Sequence, residues 1–286
     1  MRTVVGAVGR VLITVGLLIL LFVGYQLWGT AVWEARAQSD LEDKFDRELE
    51  RAEPETTTNT PTTPQPAVVA PPAGNPIGVI RIDKIGVDKV VVQGTTVPDL
   101  RQGPGHYEGS PLPGQLGNAA IAGHRTTYGA PFADLDQLAT GDAVSVQTVT
   151  GTWRYELTRD PFSVSPTQVE VLDPEPEQAT LTLTTCDPKY SASKRLIVRA
   201  TLRGQDPLPA PDTQPRLVLD TGLSGGGESR WPTILWGFIA AVVGGLWWLV
   251  FHRYPRWTTW VGGAIPFLAV LFVFYTYLER VLPNNY

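Results

Sequence analysis

The sequence predicts one all-β domain flanked by membrane-spanning helices. Three observations carry this. Residues 77–204 run as short alternating apolar and polar stretches broken by Gly and Pro turns, the pattern of strands in a sandwich or barrel. Both ends of the 286-residue chain hold apolar runs long enough to cross about 30 Å of hydrocarbon as helices. Proline-rich tracts separate these parts, and such tracts behave as extended linkers.

Residues 1–30 form the N-terminal anchor, with the apolar run Val11 to Leu27 behind Arg2 and Arg10. A signal peptide is the alternative, but no small-x-small cleavage site follows the apolar core directly, so an uncleaved anchor is expected. Residues 31–53 are dense in charge, with Leu41, Phe45 and Leu49 repeating every four residues. That narrow stripe marks a helix, read as a juxtamembrane stalk, a weak self-association helix or a solvated helix with no partner. Residues 54–76 are a Thr/Pro/Ala tract with little to bury, which leaves it unable to offset its own ordering entropy.

Residues 77–204 are the β domain. Strands are expected at Gly78 to Ile82, Lys89 to Gln93, Asn118 to Ala122, Ala143 to Thr148, Trp153 to Thr158, Ala179 to Thr185 and Arg195 to Leu202. Short helices fit only Pro98 to Arg101 and Ala133 to Leu138. Residues 205–230 are a second Pro/Gly-rich linker. Residues 231–280 hold two further spans, Trp231 to Phe251 and Trp257 to Leu278, around the positive loop His252 to Arg256, and 281–286 are a short tail. Positive loops stay cytoplasmic. The N-terminus and the Arg253–Arg256 loop are therefore expected inside, and the β domain outside.

The net charge of −5 shows no basic patch of the kind nucleic acid demands. No GxGxxG loop, P-loop or zinc-ligand spacing is present, so neither a cofactor nor a metal is expected. Asp134, Asp136, Glu170, Asp173, Glu175 and Glu177 are read as solvated loop acids, with a calcium site as the alternative.

Cys186 is the only cysteine. Exported domains use cysteines mainly as disulfide pairs, and one cysteine cannot make a pair. It is either a small buried apolar side chain or a thiol kept for chemistry. It ends the strand Ala179 to Thr185, where Leu181 and Leu183 share one parity and Thr182, Thr184 and Cys186 the other. A thiol nucleophile needs an acid–base partner. The histidines of the outer domain are His106, in a Gly/Pro loop, and His124, at a strand end, and His124 is preferred. A developing oxyanion needs a fixed donor. Arg195 starts the last strand and offers a rigid cationic fork; solvated surface charge is the alternative.

These residues resemble the sortases, Gram-positive surface transpeptidases. Thr182-Leu-Thr-Thr-Cys186 is similar to the family's TLxTC motif. Ala122-Gly-His124-Arg is similar to the segment around its essential histidine, and Arg195 stands where its arginine lies. The resemblance spans roughly Ile77 to Leu202 and implies a closed sortase-like β-barrel. Gly123 to Phe132 and Cys186-Asp-Pro with Ser191 to Arg195 resemble class E, of actinobacteria. The resemblance implies Cys186, His124 and Arg195 as catalytic residues. It implies Tyr128, Thr184 and Thr185 as substrate-binding residues, with Tyr128 selecting a Leu-Ala-x-Thr-Gly sorting signal. Implied partners are surface proteins bearing that signal, an amine acceptor on a peptidoglycan precursor or pilin, and the lipid bilayer, with no nucleic acid. A thiol peptidase that hydrolyses the same signal, or a non-catalytic wall-binding module, are the other readings. An L,D-transpeptidase would need Ser-x-Gly-Cys, which is absent. The C-terminal hairpin of spans is outside the family's core pattern.

Overall fold

The computed structural model describes residues 2–52, 68–190, 193–210, 229–252 and 257–281. Most of both expected linkers, the Arg253–Arg256 loop and the C-terminal tail lie outside the described residues. The chain divides into two compact units, one of residues 1–26 and 222–284 and one that includes residues 27–221.

The first unit holds α1 (Arg2–Gly24), followed by a π turn at Tyr25–Gly29, and the C-terminal helices, described below as α4 (Trp231–Phe251) and α5 (Trp257–Val281). The described residues contain three helices long and apolar enough to cross a membrane. Tyr25, Leu271 and Tyr275 are buried together, and the Tyr275 hydroxyl donates to Leu18 O at 2.6 Å. Along α4 and α5 the glycines Gly237, Gly244 and Gly263 face Phe274, Phe267 and Trp247. Small residues are what lets bulky partners on a neighbouring helix approach where water exerts no drive.

The second unit begins with α2 (Thr30–Ala52) and continues into the barrel. Its strands are β1 (Pro76–Ile82), β2 (Val87–Gln93), β3 (Gly105–His106), β4 (Gly117–Ala122), β5 (Ala143–Thr148), β6 (Gly151–Leu157), β7 (Phe162–Val164), β8 (Ala179–Asp187) and β9 (Lys194–Leu202). One helical turn, α3 (Val97–Leu100), precedes β3. The sheet runs β6-β5-β1-β2-β3-β4-β8-β9, and β6 pairs back onto β9, so eight strands close a barrel. Closure removes the open edges that a sheet otherwise presents. β7 adds to β9 beyond the ring, with Phe162 opposite Ile197.

Alternation decides what fills the barrel. Ile80, Ile121, Val146, Leu181, Leu183 and Val198 are all within one buried cluster at 1% exposure or less. The β5–β6 hairpin turns at Val149 and Thr150, and Gly151 takes φ +141° to re-enter the strand, a value that disfavours any side chain.

Two expectations change. The helix at 31–53 is no solvated stalk. Leu41 and Phe45 are each 1% exposed and pack with Val79, Val90 and Val92 of β1 and β2. The strands face water there unless something covers them, so an amphipathic helix supplies the cover. The linker also ends sooner than position 76. The Gln115 amide donates to Val68 O at 2.7 Å, and Gly74 N–H donates to Gln93 O at 2.8 Å, so residues 68–75 lie against the barrel.

Candidate active site

Strand register assembles the candidate residues. In β8, Leu181 and Leu183 point into the core, so Thr182, Thr184 and Cys186 share the outer face. β9 runs antiparallel beside it with Arg195 directly opposite Cys186, and opposed residues point to the same side. On the other flank β4 runs parallel, with Ala120 level with Thr182 and Ala122 level with Thr184. The pairing continues past β4, since Gly123 N–H donates to Thr184 O at 3.1 Å. His124 lies two residues past Ala122, in the segment that leaves β4 beside the Cys186 end of β8. Cys186 and Arg195 face each other across β8 and β9, and the His124 segment flanks β8 on its other side, so the segments bearing the three residues lie in a row.

The sheet adds a fourth residue that sequence reasoning missed. β3 is antiparallel to β4, with Gly105 opposite Ala122, and Tyr107 N–H donates to Ala120 O at 2.9 Å. Tyr107 thus falls on the same face as Ala120, Ala122 and His124. Its electrostatic neighbours are Arg195 and Cys186. Tyr107 is half-buried, and burial lifts its phenol to about 12, so it remains a protonated donor.

Cys186 is 8% exposed. Burial raises the thiol above its ordinary pKa, while Arg195 and then Arg125 pull it back. His124 is lowered to about 4, first by burial and then by the charge of Arg101. Near neutral pH the two therefore rest as thiol and neutral imidazole, and the ion pair is the minor form.

Arg125, adjacent to the histidine, was given no role by sequence reasoning. It is 4% exposed in its side chain and donates to Cys186 O at 3.0 Å and to Asp187 Oδ1 at 2.6 Å, with Asp136 Oδ2 at 3.0 Å from its second nitrogen. Hydrogen bonds from Ser163 and Arg125 hold the Asp187 carboxyl below its usual range despite some burial. This clamp ties the segment bearing His124 to the one bearing Cys186. Among the other loop acids, Asp134 pairs with Lys189 at 2.9 Å and Glu175 pairs with Arg199.

Tyr128 is 6% exposed, and its ring lies 5.2 Å from that of His124, tilted by 35°. Thr185 donates its hydroxyl to Gly123 O at 2.7 Å, which ties β8 to the segment leading to His124. Thr184 is buried on the outer face beside Ala122.

His106 lies elsewhere. It pairs with Ile121, so it faces the opposite side from Tyr107 and cannot reach the thiol. Nδ1 is 2.8 Å from Gln93 Oε1, and Nε2 is 2.9 Å from both Pro111 O and Ser110 Oγ. Burial lowers its pKa to about 4. A histidine held neutral in the fold but free to take a proton when unfolded stabilises the fold above about pH 6.5, and this stability is lost as pH falls toward 4. The fall from 6.5 to about 4 corresponds to roughly 3 kcal/mol. His106→Gln is expected to flatten the decline in stability between those pH values, measured by chemical denaturation. An unchanged slope would remove His106 as its source.

The sortase domain family matches residues 80–203. Sortase SrtE1 of Streptomyces coelicolor is 32% identical over 211 residues, covering 67% of this chain and 55% of its own length. This chain thus spans little more than half of that relative. Sortase SrtE2 of the same organism is 28% identical over 228 residues, covering 74% of this chain and 87% of its own. The solved structure of sortase E from Streptomyces avermitilis is 40% identical, with a TM-score of 0.42, covering 48% of this chain and 93% of that one. With a sortase domain matched over residues 80–203, and the Streptomyces sortases SrtE1 and SrtE2 among its relatives, this domain belongs to the sortase family.

Proposed function

We propose that this chain is a membrane-anchored cysteine transpeptidase. It cleaves a Leu-Ala-x-Thr-Gly-like sorting signal between Thr and Gly and transfers the acyl part to an amine of the cell wall. The observation that supports the reading is the pairing of Cys186 with Arg195 across β8 and β9, with the segment that carries His124 held along the other side of β8 by the Gly123–Thr184 hydrogen bond.

The chemistry follows from the row. The Cys186 thiol passes its proton to the His124 imidazole, and the thiolate adds to the Thr carbonyl carbon. The carbonyl π pair moves to oxygen, where the Arg195 guanidinium stabilises the oxyanion. Collapse breaks the C–N bond, and His124 gives its proton to the departing glycine amine, leaving a thioester on Cys186. An acceptor amine then attacks the thioester, His124 takes its proton, and the Cys186 thiolate leaves as the new amide forms. Burial disfavours both ions at rest, so the cations Arg195 and Arg125 are what favour the thiolate.

Tyr107, Tyr128, Thr184 and Thr185 are assigned to the signal's surroundings. Tyr107 supplies a protonated hydroxyl on the reacting face. Thr185 positions the histidine segment, and Tyr128 contacts the signal through the side that also abuts His124. The acceptor is an amine of a peptidoglycan precursor or a pilin. The N-terminus and the loop between the last two helices lie inside, with the barrel outside. Substrate and enzyme then share one bilayer, which raises their effective concentration.

The test is mass spectrometry of the full chain after exposure to candidate signal peptides. A Leu-Ala-x-Thr-Gly peptide is expected to leave its acyl fragment on Cys186, releasable by hydroxylamine, and to yield an amide when an amine is added. Release of free acid alone in the presence of the amine would replace transfer by hydrolysis. No adduct with any sorting peptide would sink the reading.

A further inference from the structure

Helix α2 buries five side chains on one stripe: Thr30, Glu34, Gln38, Leu41 and Phe45. Steps of three and four put them on one helix face. The two apolar members cover β1 and β2. The three polar members need another reason, because burying polar groups is costly unless each finds a partner.

Their partners lie on strand β2 and on two loops beside the candidate active site. Thr30 Oγ1 accepts the Tyr128 N–H at 3.0 Å. The Glu34 carboxylate, 2% exposed, holds Lys89 Nζ at 2.6 Å and lies so close to Gly129 that any side chain there would overlap it. Gln38 accepts the Val90 N–H at 2.8 Å and donates to Gln102 O at 2.8 Å, and Gly103 is pressed against its amide. Gln102 adjoins Arg101, and Gly129 adjoins Tyr128. Those two neighbours converge on His124. The Tyr128 ring packs on the imidazole, the Arg101 guanidinium stands 6.0 Å from the Tyr128 ring centre, and its charge acts on His124.

The loop at Tyr128 is strained. Tyr128, Gly129 and Ala130 take successive φ values of +50°, +70° and +45°, and such a conformation costs of order 1 kcal/mol or more at each non-glycine residue. Ala130 N–H donates to Thr127 O and Phe132 N–H to His124 O within the loop, and α2 adds contacts to Tyr128 and Gly129 from outside it.

We propose that α2 is a positioning element of the active site: Thr30, Glu34 and Gln38 hold the Arg101 and Tyr128 loops against His124, so the juxtamembrane helix sets how the general acid works. This rests on the transpeptidase reading of His124. The groups that act on the imidazole are Arg101 from the turn after α3, and Thr127 and Tyr128 from its own loop, while β8 and β9 carry Cys186 and Arg195. Glu34 of α2 and Lys89 of β2 stand behind Gly129.

The experiment compares the full chain with its Thr30→Val, Thr30→Ser and Glu34→Gln variants. Two quantities are read: kcat and KM for a sorting peptide, and the titration of His124 by NMR of histidine-labelled protein. The chain has three histidines, so variants of His106 and His252 assign the signals. Thr30→Val and Glu34→Gln are expected to lower kcat by roughly 10- to 100-fold with KM little changed. Burial and Arg101 both depress His124, so loosening the loops is expected to raise its midpoint from about 4, leaving the His106 signal in place. Thr30→Ser keeps the acceptor oxygen and is expected to match the wild type. Should Glu34→Gln not fold, Thr30→Val still decides. Variants that melt earlier yet keep wild-type kcat and His124 midpoint would overturn the proposal. A wild-type chain that forms no thioester would instead overturn the transpeptidase reading, and the titration would still report on the loops.

Discussion

Replacing Cys186 with alanine is expected to abolish both the acyl adduct and signal cleavage, a loss of at least about 10⁴-fold in kcat. Cys186 is the only cysteine, so no neighbouring thiol can take over the attack. The row of His124 and Arg195 remains, but it has no nucleophile to serve. The substitution removes one sulfur and leaves a small apolar side chain at a buried strand end, so folding should be spared. The barrel's circular dichroism and melting would be compared with wild type alongside the adduct mass. Turnover of the peptide by a folded Cys186→Ala chain would refute the nucleophile assignment.

Arg195→Lys is expected to lower kcat by about 10²- to 10³-fold, the usual cost of losing one oxyanion donor, with a smaller change in KM. Charge is conserved, so any loss reports on geometry. Arg195 sits directly across from Cys186, and a planar fork there can reach both a substrate carbonyl oxygen and the thiolate, whereas an ammonium is a single point. The lysine charge is also not held where the guanidinium stands, and Arg195 draws the thiol pKa downward from there. The variant's kcat/KM should therefore reach its maximum at higher pH than the wild type's. An Arg195→Lys chain with wild-type kcat and pH profile would reduce Arg195 to a solvated surface charge.

Much of this candidate site is legible in the sequence. The Leu/Thr alternation from Ala179 to Thr185 already separates Cys186 from the core leucines, and the same parity puts Arg195 with Ile197 and Arg199 on the outer face. Both follow from the two-residue repeat of a strand, which is local. Tyr107 was hidden because β3 is two residues long and sits within a Gly/Pro loop, where no alternation can be read. Its face is set by pairing with β4, a non-local fact. The docking of α2 was hidden for a related reason. Only Leu41, Phe45 and Leu49 announce an apolar stripe, while its continuation through Gln38, Glu34 and Thr30 looks like ordinary helix surface until Val90, Gln102 and Tyr128 are seen to meet it. Arg125 stood next to a singled-out histidine, but nothing local shows that its guanidinium turns back to the carbonyl of Cys186.

The parallel pairing of β4 with β8 bears on when the protein becomes reactive. Gly123 and Thr185 are 62 residues apart, and parallel strands cannot be joined by a tight hairpin. Contacts of such long sequence separation form slowly, because the intervening chain must be ordered first. The nucleophile and its acid meet only once that crossover is complete. Until then Cys186 is a thiol without an acid–base partner, on a chain with no second cysteine to pair with it, so the unfinished barrel cannot carry out the proposed transfer. Catalytic competence thus doubles as a readout of barrel closure, and a sorting-peptide assay would count only those molecules whose last strands have found their places.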